Sequence, residues 1–206
     1  MLDLGAGTGK LTRALLAWGL DVVAVEPLAP LREVLAGTVG VQRVLEGRAE
    51  AIPLEDSCVE AVTVADAFHW FDAPAALAEI ARVLAPGGGL AVIATVPDWG
   101  RCPGATSWAR WWAETRPEHP HFDGPSWQEA VREAGGWSTP CEIRVASPQV
   151  IETGRMVDWL ASFSWIAAMK EPRRAQTLQR ASELLAGGPS PVEISVQAVI
   201  GLASPV

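Results

Sequence analysis

The sequence predicts an α/β protein: a doubly wound, mostly parallel sheet of seven strands, with an antiparallel C-terminal edge and a helical insertion. Three observations carry this. Short β-branched runs alternate with helical patterns five times across roughly the first hundred residues. Runs such as Asp21 to Val25, DVVAV, are apolar throughout, as a strand covered by helices on both faces must be. A turn of small residues, Gly5 to Gly9, joins the first strand to the first helix, where sheets of this kind bind ligands.

The elements follow in order. Leu2 and Leu4 mark a first strand, and Leu11, Ala14, Leu15 and Trp18 repeat at helical spacing before Gly19, a C-terminal cap. Asp21–Val25 is the second strand, Pro30 to Ala36 a helix, Val41 to Leu45 the third strand and Val59 to Ala65 the fourth. Asp72 suits an N-cap, with Pro74 in the first turn and an apolar stripe of Leu77, Ile80, Ala81 and Leu84. Pro86-Gly87-Gly88-Gly89 is expected to stop that helix, and Leu90 to Val96 is the fifth strand. Short connections between buried strands imply right-handed crossovers.

Beyond residue 97 the composition changes, since eight of the ten tryptophans lie after residue 98. Trp108, Trp111 and Trp112 share a helical face, and Trp127 to Ala134 reads as a helix. Cys141 to Ser147 reads as a strand, and Met156, Trp159, Leu160, Phe163, Ile166 and Ala167 form one helical stripe. Pro172 to Ala186 is a further helix and Val192 to Ile200 a final strand. Residues 1–97 are thus a ligand-binding core, and residues 98–206 complete the sheet and add the helical insertion, within one structural domain.

Composition narrows the function. A net charge of −8 without a basic cluster argues against nucleic acid, which requires concentrated Lys and Arg. No apolar run approaches the roughly 20 residues of a membrane span. Cys58, Cys102 and Cys141 are odd in number and widely spaced, so buried, inert thiols in a cytoplasmic protein are expected. His119 and His121 flank Pro120 without a supporting ligand cluster, and no metal is expected.

The glycine loop reads Gly-x-Gly-x-Gly, not the Gly-x-Gly-x-x-Gly of a dinucleotide turn, and lacks the Gly-Lys-Ser/Thr of a phosphate loop. Its glycines allow positive φ and close approach of a ligand to the backbone. The helix behind it offers unpaired N–H groups to an electron-rich ligand. Glu26, roughly twenty residues on at the end of the second strand, can accept hydrogen bonds from both hydroxyls of a ribose and would repel a ribose phosphate.

With these residues in place, LDLGAGTGKLT, AVEP, GRAEAIPLEDSCVEAVTVADAFHWFD and EIARVLAPGGGLAVI together resemble the class I S-adenosylmethionine-dependent methyltransferases. The likeness is to the small-molecule branch that includes the ubiquinone and menaquinone methyltransferases, and spans residues 1 to 97. The resemblance implies a Rossmann-like fold and S-adenosylmethionine as cofactor. It puts Asp3, Gly5, Ala6 and Gly7 against the methionine part and ribose, Glu26 on the ribose hydroxyls and Pro27 and Leu28 beside adenine. Ala49, Glu50 and Ala51 would border the adenine, with Glu50 receiving its exocyclic amine, and Ala65 and Asp66 would lie beneath the methionine portion. His69 and Trp70 would stand where the acceptor meets the sulfonium. Two departures are Glu60, where Asp is commoner, and the absence of the usual helical segment before the first strand, from which weaker cofactor retention is expected.

The expected activity is methyl transfer to a small-molecule acceptor. Methyl transfer from a sulfonium needs chiefly alignment and exclusion of water, with a base only if the acceptor must lose a proton. His69 is the candidate base; its other reading is an imidazole packed between Phe68 and Trp70. Trp99 and His119 are further candidates for lining the acceptor site, as are Trp108, Trp112 and Trp165, although helical spacing also suits the tryptophans to core packing. Two alternatives stay open: a non-catalytic cofactor-binding protein of this fold, and an NAD-dependent oxidoreductase, against which the glycine spacing counts.

Overall fold

The chain begins with β1 (Leu2–Leu4), whose three residues are all buried. A computed structural model describes residues 1–98, 101, 105–115, 124–167, 169–186, 188 and 190–206. The glycine turn leads into α1 (Lys10–Ala17), then β2 (Val23–Val25), α2 (Ala29–Val39), a 3₁₀ turn over Val41–Arg43 and β3 (Val44–Leu45). β4 (Val59–Ala65) is followed by a 3₁₀ turn at Phe68–Trp70, α3 (Ala73–Val83) and β5 (Leu84–Pro97). After α4 (Ala105–Thr115), α5 (Trp127–Ala134), β6 (Cys141–Ala146) and β7 (Gln149–Ile151) come α6 (Thr153–Ala161), α7 (Ser164–Ala167) and α8 (Arg173–Leu185). The described chain ends with β8 (Val192–Ile194) and β9 (Val196–Ala203).

Seven strands form one sheet in the order β3-β2-β1-β4-β5-β9-β6, and β7 pairs with β8 in a separate antiparallel ribbon. β1 is parallel to β2 and β4, β2 to β3, and β4 to β5. β9 runs the other way: Gly89 lies beside Ser204, whereas the Asp98 N–H donates to Ser195 O. The sheet is therefore mostly parallel with an antiparallel edge, as expected for the Rossmann-like methyltransferase fold.

Packing groups the residues into two compact units, one of Met1–Ala94, Gly124–Ile143 and Val199–Val206, the other of Thr95–Asp123 and Arg144–Ala198. The first has a core of Leu2, Leu4, Val62, Val64, Leu77, Ile80 and Leu90, with Ala130 and Val131 of α5. Trp127 at the start of α5 packs where Gly201 has no side chain, so a Cβ there would overlap the indole. The core of the second unit is Trp108, Trp111, Met156, Leu160, Trp165, Ile166 and Ile194. The buried Trp111 Nε1–H donates to Thr177 O at 3.3 Å, so the indole is packed without leaving its donor unmatched.

Several expected elements change on folding. The third strand shrinks to Val44–Leu45 because β2 offers only Ala24 and Val25 as partners at this edge. In α1 the inward residue is Thr12, drawn in by a bond to Asp3, and Trp18 at the helix end is 84% exposed. The helix α3 ends at Val83, ahead of the glycines. Leu84 already pairs with Val59, and pairing resumes at Gly89 opposite Ala61, so Pro86 lies in a bulge, free of the donor duty it cannot meet. The long stripe of 156–167 is broken where Ser162 Oγ donates back to Trp159 O at 2.6 Å, a side-chain bond that competes with helix continuation. The final strand splits at Ser195 because β8 joins β7 while β9 joins the main sheet. Cys58 and Cys141 are exposed, not buried: Cys58 follows a surface turn before β4 and Cys141 opens the edge strand β6. Cys102 lies outside the described residues.

Candidate cofactor site at the carboxyl edge of the sheet

Parallel registration decides which residues can meet. Leu4 is level with Val25, and Asp3 with Thr63, so the segments after β1, β2 and β4 emerge along one edge. The order β3-β2-β1-β4 also means that the chain reverses direction across the sheet between β1 and β4. Such a switch point opens a crevice at the carboxyl ends of the strands. The glycine turn, Glu26 and Asp66 border that edge.

The turn is built for close approach. Gly5, Gly7 and Gly9 have φ of 71°, 57° and 82°, all in the left-handed region. The N–H groups of Gly5 and Ala6 both donate to Val25 O, at 2.9 and 3.1 Å. A Cβ on Gly9 would collide with Leu35 Cδ1 of α2, and one on Gly5 would stand 2.9 Å from Ala67 Cβ. At Gly7, by contrast, a Cβ would meet nothing within 4 Å. The outer two glycines therefore let the loop pack on the protein, and the middle one borders open space.

Glu26 is only 4% exposed. Its two carboxylate oxygens accept from the Gly7 and Leu28 N–H groups, each at 2.9 Å. That arrangement brings the acid to the glycine turn and leaves each oxygen a further acceptor direction. Arg32 of α2 braces the same turn through Glu26 O and Pro27 O, at 3.1 and 2.8 Å, and pairs with Glu46 at 2.7 Å. Pro27 and Leu28 are exposed beside it.

Asp3 lies beneath the turn, not on its surface. It is 1% exposed, and its carboxylate accepts from Thr12 Oγ1 at 2.6 Å and Thr63 Oγ1 at 3.4 Å. Burial pushes its pKa up, and the two threonine hydroxyls only partly offset this. Asp3 thereby ties β1 to α1 and β4.

Glu50 accepts from the Asp72 N–H at 2.9 Å and from Arg48 Nε at 3.4 Å. Burial pushes its carboxyl up, but the N–H groups of Asp72 and of Glu50 itself, with Arg48 alongside, outweigh this and hold it below the usual range. Ala51 bridges back to Arg48 in a tight turn. At the end of β4, Ala65 pairs with Ile93, and Asp66 takes a φ of 49° while its N–H donates to Ile93 O at 2.9 Å. His69 and Trp70 follow in the 3₁₀ turn with ring centroids 5.1 Å apart; Trp70 is 53% exposed. Trp99 and His119 lie outside the described residues. Trp108 and Trp165 are buried in the core of their unit, with Trp112 partly buried against it.

A family model described as a methyltransferase domain matches residues 2–92. An uncharacterized methyltransferase of Mycobacterium tuberculosis is 37% identical over 190 residues, 92% of this chain and 74% of that relative. The chain belongs to the class I S-adenosylmethionine-dependent methyltransferases. Within the family, a demethylmenaquinone methyltransferase of Thermus thermophilus is 40% identical over 104 residues, 47% of each chain. A solved putative type II methyltransferase of Anaeromyxobacter dehalogenans matches with a TM-score of 0.66 over 99% of this chain and 88% of that one. At 21% identity it speaks for the fold alone.

The geometry of this methyltransferase also depends on residues that the sequence did not single out. Thr12 and Thr63 hold Asp3, Arg32 braces the Glu26 turn, and Arg82 with Glu79 holds the segment after Glu50. Arg82 and Glu79 are three apart on a helix, a visible pairing; their partners 26 to 30 residues earlier leave no local signal.

Proposed function

We propose that this chain binds S-adenosylmethionine at the carboxyl edge of the sheet and transfers its methyl group to a small-molecule acceptor by in-line displacement. The carrying observation is Glu26: a buried carboxylate held to the glycine turn by the Gly7 N–H and steadied by the Leu28 N–H, beside the open space at Gly7. The donor set fits the cofactor. Gly7 offers bare backbone to the ribose and methionine portion, Gly5 and Ala6 shape the turn beside it through their bonds to Val25 O, and Glu26 accepts from the ribose hydroxyls. Pro27 flanks the adenine, Glu50 accepts from its exocyclic amine, and Ala51 closes the base side. Ala65 and Asp66 lie under the methionine portion, while Asp3 acts from beneath by fastening the turn.

When bound, S-adenosylmethionine supplies an electrophilic methyl group on a good leaving group. The protein's part is to align the acceptor and keep water away. In this reading His69, which follows the carboxyl end of β4, takes the proton of an acceptor that must lose one, and the exposed Trp70 beside it offers an aromatic face. Residues 1–97 supply every cofactor contact in this reading; residues 98–206, with Trp99 and His119 as candidates, are assigned to the acceptor.

Titration calorimetry with S-adenosylmethionine, S-adenosylhomocysteine and NAD tests the cofactor, and preference for NAD refutes the proposal. Mass spectrometry for S-adenosylhomocysteine release across an acceptor panel tests turnover. Tight cofactor binding with no methylated product would favour the non-catalytic alternative.

A further inference from the structure

Arg82 lies in the last turn of α3 and uses each of its five N–H donors once. Nε and Nη2 grip the two oxygens of Glu79, both at 2.7 Å. Nη2 also donates to Ile52 O at 2.9 Å, and Nη1 donates to Leu54 O and Asp56 Oδ1, both at 2.8 Å. Glu79 completes the circuit by accepting the Ile52 N–H at 2.9 Å. Both backbone groups of Ile52 thus end on one Arg–Glu pair. Ile52 is itself buried in the core. Two residues before it stands Glu50, held from the other end of the same helix by the Asp72 N–H. The segment 50–56 is therefore fastened at both ends of α3, and the fastening at its carboxyl end is a fork geometry that a point-charge lysine cannot reproduce.

We propose that the Arg82–Glu79 pair is a positioning device for purine recognition: it sets the place of the Glu50–Ile52 backbone, and so aims the Glu50 carboxylate at the 6-amino group of the cofactor's base. The inference rests on the cofactor reading above. A 6-amino group donates to a carboxylate, whereas the 6-oxo group of hypoxanthine turns a lone pair toward it. Base discrimination should then depend on where Glu50 is held, even though Arg82 makes no contact with the base itself. Loss of the clamp frees the segment to drift, and the preference for adenine falls although Glu50 is still present.

The test compares S-adenosylhomocysteine with S-inosylhomocysteine by titration calorimetry, in the native chain, Arg82→Lys and Glu79→Gln. The native chain is expected to favour the adenine form by roughly 10- to 150-fold, the range of one hydrogen bond to a charged group. In both variants that ratio should fall by about tenfold or to near unity. Amide exchange should accelerate at Ile52 while β1 and β4 stay protected. A merely stabilising role would lower melting temperature and weaken both ligands equally, and an unchanged ratio in folded variants overturns the proposal. If Arg82→Lys does not fold, Glu79→Gln, which keeps the arginine, decides the matter. A native chain that binds both ligands equally also overturns it. Failure of the native chain to bind S-adenosylhomocysteine at all refutes the cofactor reading itself, a result distinct from binding with an unmoved ratio.

Discussion

Replacing Glu26 with alanine removes the acceptor on which the cofactor reading rests. Each oxygen holds one N–H at 2.9 Å, so each has one direction left for a ribose hydroxyl. Removing a hydrogen bond to a charged group costs about 1.5–3 kcal/mol, or roughly 10- to 150-fold in Kd for S-adenosylhomocysteine. The substitution also strips acceptors from the Gly7 and Leu28 N–H groups, at about 1–3 kcal/mol of folding stability for each that stays buried and unmatched. The two effects separate experimentally. Urea denaturation measures the stability loss, and calorimetry is run where the variant remains folded. The decisive comparison uses the 2′-deoxy analogue: it should bind the native chain more weakly than its parent, but Glu26→Ala equally well. An undiminished affinity in Glu26→Ala, or the same penalty for the analogue in both proteins, would refute the ribose role.

Four other substitutions test the surrounding architecture. Gly9→Ala drives a methyl into Leu35 at positive φ and should cost about 2–4 kcal/mol in urea denaturation, whereas Gly7→Ala, with open space above it, should cost only about 1–2 kcal/mol yet weaken cofactor binding. Asp72→Ala removes the side-chain cap on Ala75 N at 3.3 Å, with an expected loss of about 1 kcal/mol in the same measurement. Burial raises the pKa of Asp3 above its ordinary 3.8, so the native chain holds this proton more tightly than the unfolded chain does. That stabilisation is full below the ordinary value and fades as pH rises through the native one. Asp3→Asn carries no such titration. The stability of the native chain minus that of Asp3→Asn should therefore decline on going from about pH 3 to pH 8, and a flat difference would show that Asp3 titrates as if exposed.

Local residue chemistry made much of the fold legible. β4 over Val59–Ala65 and α5 over Trp127–Ala134 could be read residue for residue. An apolar run and an amphipathic stretch behind Ser126, whose capping box is formed by Glu129, carry their own boundaries. The glycine turn and Glu26 were likewise readable, because positive φ and an acid after the second strand are local demands. The short β3, the break at Ser162 and the transfer of the chain between sheets at Ser195 were not. Each depends on which partner stands alongside, and hydrogen bonding between strands is decided by neighbours distant in sequence.

The same division runs through the candidate site. By itself the sequence determined the parallel α/β architecture, which follows from periodicity and residue type over short windows, and its motifs carried the family likeness. Only the tertiary structure decided that Asp3 is a buried fastening held by Thr12 and Thr63, that Glu26 is oriented by Gly7 and Leu28, and that Arg82 reaches back to Ile52 and Leu54. Burial and long-range hydrogen bonds depend on three-dimensional neighbours, and the energy of a buried carboxylate or a five-donor guanidinium is set by those neighbours, not by its place in the chain.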